Sequence, residues 1–429
     1  MNGKLRDKMT AQPDNIDVLV ERAVFEADEG VRKSCRQEIR QRAAHQGIYP
    51  ASIQGLYEAA GQGLYHGITV PAINVRGLTY VVARAVFRAA MKDVVGAFIF
   101  EIARSEIGYT GQRPDEYAVC ILAAAIKEGY RGPVFIQGDH FQVNRSKYAT
   151  EPEKELPAIE ALIREAVGAG FLNIDIDAST VVDLGRDTLV AQQEKNSQVT
   201  ADMTRLIRSI EPKGVTISVG GEIGEIGKGN STVKDLQAFM TGYLNRLGVG
   251  VIGISKISVQ TGTSHGGVVL PDGSIAEVKL DFQTLAALSQ LARDRYGMGG
   301  AVQHGASTLP DDAFDMFPKA NTLEVHLATG FQNLIYDSPH FPAELLKDIY
   351  GHLFKKYAGE RKEGETEEQF LYKTRKKALG DFKREIWNIP AENLEAIGQT
   401  LENRFSLLFH KLNVVGTVDL TGKYIETHK

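Results

Sequence analysis

Residues 156–180 read LPAIEALIREAVGAGFLNIDIDAST. Leu156–Gly168 carries apolar residues at helical spacing, and Phe171–Asp177 follows as a short apolar run that closes on Asp175 and Asp177. A run buried along its length needs cover on both faces, as parallel strands have. Its acidic end needs an opening. Helix, parallel strand and polar strand end together form one repeat of an α/β fold.

Outward from this stretch the same unit recurs. The apolar runs are Ile68–Val75, Ala97–Ile102, Pro133–Asp139, Phe171–Asp177, Val215–Glu222, Gly250–Val259, Gly300–His304 and Thr322–Leu327. Helical patterns lie between most of them, at Thr79–Lys92, Asp115–Glu128, Leu156–Gly168, Thr200–Glu211, Val233–Leu247 and Gln283–Tyr296, with a shorter one at about Asp311–Lys319. Eight strand–helix repeats predict a (β/α)8 TIM barrel. A doubly wound open sheet shares the alternation. However, the first run ends Asn74-Val-Arg-Gly77, without the Gly-x-Gly-x-x-Gly turn of a dinucleotide fold.

The flanks differ. Asp17–Gln46 spaces Val18, Leu19, Val24, Phe25, Val31 and Ile39 loosely as a helix among charges, until Tyr49–Pro50 breaks it. Ala343–Tyr357, Glu367–Ile386 and Ala391–Leu412 read as helices, and the run Glu360-Arg-Lys-Glu-Gly-Glu365 reads as a solvated loop. The expected organisation is a helical arm over 1–60, a barrel over 61–340 and a helical extension over 341–429. Arm and extension are expected to cap the barrel or to contact another subunit.

Composition narrows the function. Of 429 residues, 43% are hydrophobic and 24% charged, which supplies a core and excludes a disordered chain. A net charge of -5 argues against a nucleic-acid coat. The two cysteines, Cys35 and Cys120, are too few for a disulfide framework or a Cys-rich zinc site. No apolar run approaches the roughly 18 residues of a membrane span, and the N-terminal segment is polar. A cytoplasmic protein is expected, a homo-oligomer (dimer or tetramer) with no nucleic-acid or membrane partner.

The strand ends hold polar groups that a core would reject: Gln137-Gly-Asp-His140, Asp175-Ile-Asp-Ala-Ser179, Gly220-Gly-Glu-Ile-Gly224, Thr261-Gly-Thr-Ser-His265 and His304-Gly-Ala-Ser307. A barrel gathers all of these at one face. Three imidazoles from three strands, His140, His265 and His304, suit a metal with an open coordination position. Asp177 and Glu222 are placed to bind a second cation or to orient the histidines. Asp139 suits proton transfer to and from a sugar hydroxyl. The glycines beside His265 and His304, with Ser307 and Thr308, suit a phosphate. Lys256, inside a strand, offers an alternative Schiff-base nucleophile.

These segments resemble the class II, zinc-dependent fructose-bisphosphate aldolase family. The matching pieces are Val70-Pro-Ala-Ile-Asn74, Gly138-Asp-His140, Ala169–Ser179, Gly221-Glu-Ile-Gly224, Gly262-Thr-Ser-His-Gly266 and His304-Gly-Ala-Ser307, in family order across residues 66–337. The resemblance implies a barrel that reversibly cleaves a ketose (bis)phosphate, most simply fructose 1,6-bisphosphate. It also implies one or two divalent ions, zinc first, on His140, His265 and His304, with Glu222 near the metals. Asp139 becomes the proton-transfer carboxylate. Asn74, Gly266, Gly305, Ser307 and Thr329 become substrate contacts. Glu101-Ile-Ala-Arg-Ser-Glu106 and Gly108-Tyr-Thr-Gly111 are similar to the accessory subunit of tagatose-bisphosphate aldolase, so a non-catalytic subunit is the alternative.

Two segments depart from the family. The loop Glu225-Ile-Gly-Lys-Gly-Asn-Ser-Thr232 lacks the usual acids, and Glu225 is the nearest replacement for the family's proton-removing carboxylate. The eighth strand ends His326-Leu-Ala-Thr329 in place of Asn-x-Asp-Thr. His326 is thus expected to bind substrate or to act as the alternative base.

Overall fold

The computed structural model describes residues 15–224, 229–262, 270 and 280–425. Its strands are β1 (Ile48–Ala51), β2 (Val70–Asn74), β3 (Ile99–Ala103), β4 (Gly132–Gln142), β5 (Asn173–Asp177), β6 (Ser218–Glu222), β7 (Lys256–Val259), β8 (Gly300–Gln303) and β9 (Glu324–Leu327). All pairings are parallel. The order runs β2-β3-β4-β5-β6-β7-β8-β9, and β9 pairs back onto β2 through Val70 with Glu324 and Ala72 with His326. The sheet is therefore a closed eight-stranded barrel, not an open doubly wound one. Every expected run overlaps one of its strands, although β3 and β4 extend beyond theirs, to Ala103 and over Gly132–Gln142.

Local chemistry explains the elements. The helix Pro152–Ala169 ends at Gly170, whose φ of 94° turns the chain directly into β5. The helix Leu189–Ile210 opens on Thr188, which accepts the Ala191 N–H at 3.2 Å. Thr232 and Asp235 cap the helix Val233–Leu247 reciprocally, at 2.9 and 3.3 Å. β2, β3 and β5 are buried at every residue. Phe87, on the helix Thr79–Lys92, packs over Phe100 of β3 and over Tyr130, with ring centroids 5.1 and 4.7 Å apart.

The N-terminal segment is not all helix. Ile16–Phe25 and Glu29–His45 are helices, but Tyr49–Pro50 lie within β1, which runs parallel to the start of β4. β1 has a single partner, so a proline without an N–H is tolerated there. Asn173 of β5 secures this edge, accepting the Ile53 N–H at 2.9 Å and donating to Ala51 O and Ile136 O. The two helices pack on Pro114–Glu128, where Arg36 and Arg40 lie 3.0 and 2.6 Å from Asp115.

Beyond the barrel, Ala343–Lys356 and Ala391–Lys411 are helices as expected. The pattern over 367–386 instead breaks into Glu367–Thr374, Ala378–Asp381 and Lys383–Trp387. The break falls where Arg375 turns to Asp337 and Asn333, each at 2.6 Å, and where Gly380 lies against the Tyr109 carbonyl. Trp387 meets Phe25 edge-on at 5.2 Å and stacks over Tyr80 at 6.1 Å, joining both chain ends to the barrel's helical shell. Among the described residues no helix is long and apolar enough to cross a membrane.

Candidate active site

β4 brings Asp139 and His140 to the same cavity by a bulge. The β4–β5 register shifts between Gly138 and Phe141, and His140 takes a φ of 39°. The strand does not fray there, since pairing resumes at Phe141 and Gln142. Gly138 is required here. A Cβ at that position would meet the Phe141 ring at 2.5 Å.

His140 and His304, from the end of β4 and just past β8, face each other with Nε2 and Nδ1 3.0 Å apart. The opposite nitrogens are engaged. His140 Nδ1 lies 2.9 Å from Asp177 and 3.1 Å from Glu222, and His304 Nε2 lies 2.8 Å from Ser258 Oγ. A neutral His140 with its proton on Nδ1, facing Asp177, would leave its Nε2 lone pair directed at His304. If His304 likewise donates Nε2–H to Ser258 Oγ, two lone pairs would converge on one point. Asp139 joins them, its Oδ1 3.7 Å from His140 Nε2. One ligand atom from each of Asp139, His140 and His304 lies within 4.8 Å of the others, and this donor set fits a divalent ion such as zinc. Glu222 sits with Asp177 on the far side of His140, as an orienting acceptor does. His140, Asp177 and Glu222 are also close enough to hold a second ion. Burial, then the charge of Asp177, push the Glu222 carboxyl up to about 7.

A cavity of about 1010 Å3 opens over this point. It is lined by Asn74, Asp139, His140, His304, Gly305, Ser307, His326 and Thr329 among others, so nine of the expected site residues, with Glu222 behind His140, converge. Glu225, His265 and Gly266 lie outside the described residues.

His326 is held more tightly than its sequence position suggests. Its Nδ1 lies 3.0 Å from Glu101 and 3.2 Å from Asp139, and its Nε2 lies 2.6 Å from Glu324. Burial opposes its charge, but Glu101 and Asp139 outweigh that and raise its pKa well above the ordinary value. Both ring nitrogens of His326 therefore face carboxylates.

Lys256 is likewise committed. Its side chain is 1% exposed, and Nζ reaches Glu324 at 2.5 Å, Gln137 at 2.7 Å and Asp175 at 3.0 Å. Burial pulls its pKa down, but Asp175 and Glu324 raise it overall. A Schiff-base amine must be neutral to attack a carbonyl. Lys256 is instead the countercharge of a buried cluster that includes Tyr57, which donates to Glu324.

Other lining residues were not legible beforehand. Glu106 binds Asn74 Nδ2 at 2.7 Å and Arg76 at 2.9 Å, which fixes two groups at the end of β2. Lys362, Glu365, Tyr372, Lys373 and Lys376 of the C-terminal extension form a wall of the same cavity. The run 360–365 is largely exposed, as expected, but it is also the cavity rim.

A closed barrel with this polar cluster at the carboxyl ends of its strands has the form of an aldolase-type enzyme site. The profile of the family described as Fructose-bisphosphate aldolase class-II matches residues 53–393, and the chain belongs to that family. No curated protein sequence matches it. Among solved structures, fructose-bisphosphate aldolase from Campylobacter jejuni is 18% identical with a TM-score of 0.50, covering 86% of this chain and 97% of that one. A glycerol complex of the fructuronate-tagaturonate epimerase UxaE from Cohnella laeviribosi is 13% identical with a TM-score of 0.61, covering 92% and 90%. A probable tagatose 6 phosphate kinase from Sinorhizobium meliloti 1021 is 16% identical with a TM-score of 0.57, covering 83% and 98%. At these identities the likenesses speak for the fold alone.

Proposed function

We propose that the protein is a metal-dependent aldolase that reversibly cleaves a ketose (bis)phosphate, fructose 1,6-bisphosphate first, to dihydroxyacetone phosphate and an aldehyde. The observation that carries this reading is the convergence of His140 Nε2, His304 Nδ1 and the Asp139 carboxylate at the floor of the cavity. His140 and His304, joined in this reading by His265, would hold the ion. A divalent ion bound there supplies a Lewis acid that polarises the ketose carbonyl.

This chain's own groups do the rest. Asp139 takes the proton of the C4 hydroxyl as the C3–C4 bond breaks and returns it on condensation. Asp177 and Glu222 hold the His140 ring in its tautomer. Gly305, Ser307 and Thr329, with Gly266, anchor the phosphate next to the carbonyl through N–H and O–H groups. Asn74, oriented by Glu106, contacts the sugar. Glu225 moves the proton at C3 of dihydroxyacetone phosphate. The cleft suits a small sugar phosphate, and the expected working form is a homo-oligomer in the cytoplasm.

The test is exchange of the C3 proton of dihydroxyacetone phosphate with deuterated water, which needs no aldehyde. The parent protein is expected to catalyse it, and Glu225→Gln to lose it while still binding the ketose. A parent protein with neither exchange nor cleavage on any ketose phosphate reverts to the accessory-subunit alternative.

A further inference from the structure

The amino-terminal face of the barrel holds a second pocket, of about 350 Å3. Tyr65 and His66 precede β2, Arg293 and Asp294 precede β8, and Lys319 precedes β9; all five line the pocket with Gln290. In a parallel barrel the connections into the strands lie opposite the strand ends that carry His140, His304 and His326. The barrel itself therefore separates this pocket from the catalytic cavity.

The cations here lack carboxylate partners. Arg293, on the helix Phe282–Tyr296, donates through Nε to the Gly299 carbonyl at 2.7 Å and through Nη2 to the Asn321 carbonyl at 2.5 Å. Both acceptors are neutral. Its Nη1 makes no hydrogen bond, and the guanidinium forms no ion pair with a described carboxylate. Lys319 forms no hydrogen bond or ion pair with any described residue. Asp294, exposed at the rim, is the one carboxylate among the described lining residues, and it too is unpaired. Two cations against one carboxylate leave a positive excess. The Tyr65 hydroxyl is buried and has no hydrogen-bond partner among the described residues. Burial pulls the Arg293 pKa down, and Tyr65 and Asp294 only partly oppose it. Lys256, by contrast, is buried with two carboxylates.

The frame around Arg293 is closely fitted. A Cβ on Gly300 would meet Arg293 Nη2 at 2.8 Å. Ser289 Oγ donates to the same Asn321 carbonyl at 2.6 Å and accepts the Ala301 N–H at 3.1 Å. Asn321 Oδ1 accepts the Gly67 N–H at 3.1 Å, which ties the segment bearing Tyr65 and His66 to the turn before β9. A buried hydroxyl without a partner and a half-buried guanidinium without a countercharge both cost stability, and an anion bonded to the two offsets that cost. Three donors from three chain segments suit the three terminal oxygens of a phosphoryl group better than the two of a carboxylate.

We propose that Arg293, Lys319 and the Tyr65 hydroxyl form a second, non-catalytic anion site on the amino-terminal face of the barrel, which takes a phosphoryl group, as inorganic phosphate or on a small metabolite. The site stands apart from the aldolase reading and does not depend on it.

The experiment has two arms, both on the full-length protein. In the first, crystals are grown with tungstate, a tetrahedral oxyanion that its anomalous scattering locates. The ion is expected between Arg293 and Tyr65. In the second, inorganic phosphate and glycerol 3-phosphate are titrated calorimetrically into the parent, Lys319→Glu and Tyr65→Phe, with circular dichroism to check that both variants fold. The catalytic cavity is unaltered in these variants and contributes equally throughout. Affinity at one site is expected to fall about 10-fold or more in Lys319→Glu and about three- to tenfold in Tyr65→Phe, the scale of single hydrogen bonds with and without a charged donor. Tighter binding of inorganic phosphate at that site identifies the free ion as the occupant, and tighter binding of glycerol 3-phosphate identifies a phosphorylated metabolite. Tungstate in the pocket with unchanged affinities in both folded variants marks an adventitious ion only and overturns the proposal, as does a pocket that takes up no tungstate.

Discussion

Asp139 and His140 are adjacent residues that a regular strand would send to opposite faces, and the left-handed backbone at His140 lets both reach the cavity. Asp139 then does work that an amide cannot. Asp139→Asn is expected to lower turnover by about 10²–10⁴-fold, the usual scale for a positioned acid–base group, with metal content unchanged. Metal lost from that variant would move Asp139 into the ligand shell. Lys256 makes the opposite case, a charge whose role is structural. Lys256→Met leaves Glu324 and Asp175 buried without their ammonium and is expected to cost about 3–5 kcal/mol in urea unfolding. The parent treated with borohydride and dihydroxyacetone phosphate is expected to show no adduct on Lys256; a labelled Lys256 would revive the Schiff-base alternative. The histidines and Asp139 were legible because they stand at the ends of apolar runs. Glu101, Glu324 and Asp175 were not read as a cluster. Their partners, Lys256 and His326, are brought to them only by closure of the barrel.

Among the elements, the barrel strands were the most legible part, because parallel strands covered on both faces read as plain Val- and Ile-rich runs. β1 was hidden by Pro50, which signals a break unless the strand is known to lie at an edge. The extension was hidden differently. Its 367–386 pattern reads as one helix, and only long-range contacts from Arg375, Leu379 and Gly380 break it and aim Lys376 at the cavity. The N-terminal helices hang on Asp115, where burial would raise the carboxyl pKa but Arg40 and Arg36 outweigh it and depress the value below 3.8. A carboxyl depressed on folding contributes stability that is full above its unfolded pKa and lost as pH falls through its folded one. The Trp387 emission, sensitive to Phe25 and Tyr80 beside it, is therefore expected to change as the pH drops below about 4. Asp115→Asn, which cannot titrate, is expected to weaken that contact at neutral pH and flatten the acid response. An identical acid transition in parent and variant would show that Asp115 does not hold the arm.

For the whole molecule, a closed barrel gathers groups from all eight strands at one face, and residues of the C-terminal extension form one wall of the cavity there. The sequence specifies the barrel by repetition and the candidate metal site by its strand-end histidines. It conceals the cavity wall of the C-terminal extension, because that wall comes from a segment with no periodic link to the barrel. The central claim is that His140 and His304 hold a divalent ion that the reaction needs. The most direct measurement pairs metal analysis with release of dihydroxyacetone phosphate from fructose 1,6-bisphosphate, for the parent, the chelator-treated parent and His304→Ala. The account predicts about one tightly held ion per chain in the parent, the number of a three-histidine site with an open coordination position. It also predicts turnover lost with chelator and regained with zinc, and neither ion nor turnover in His304→Ala. Undiminished turnover in chelator-treated protein shown to be free of metal, or full metal content in His304→Ala, would contradict it.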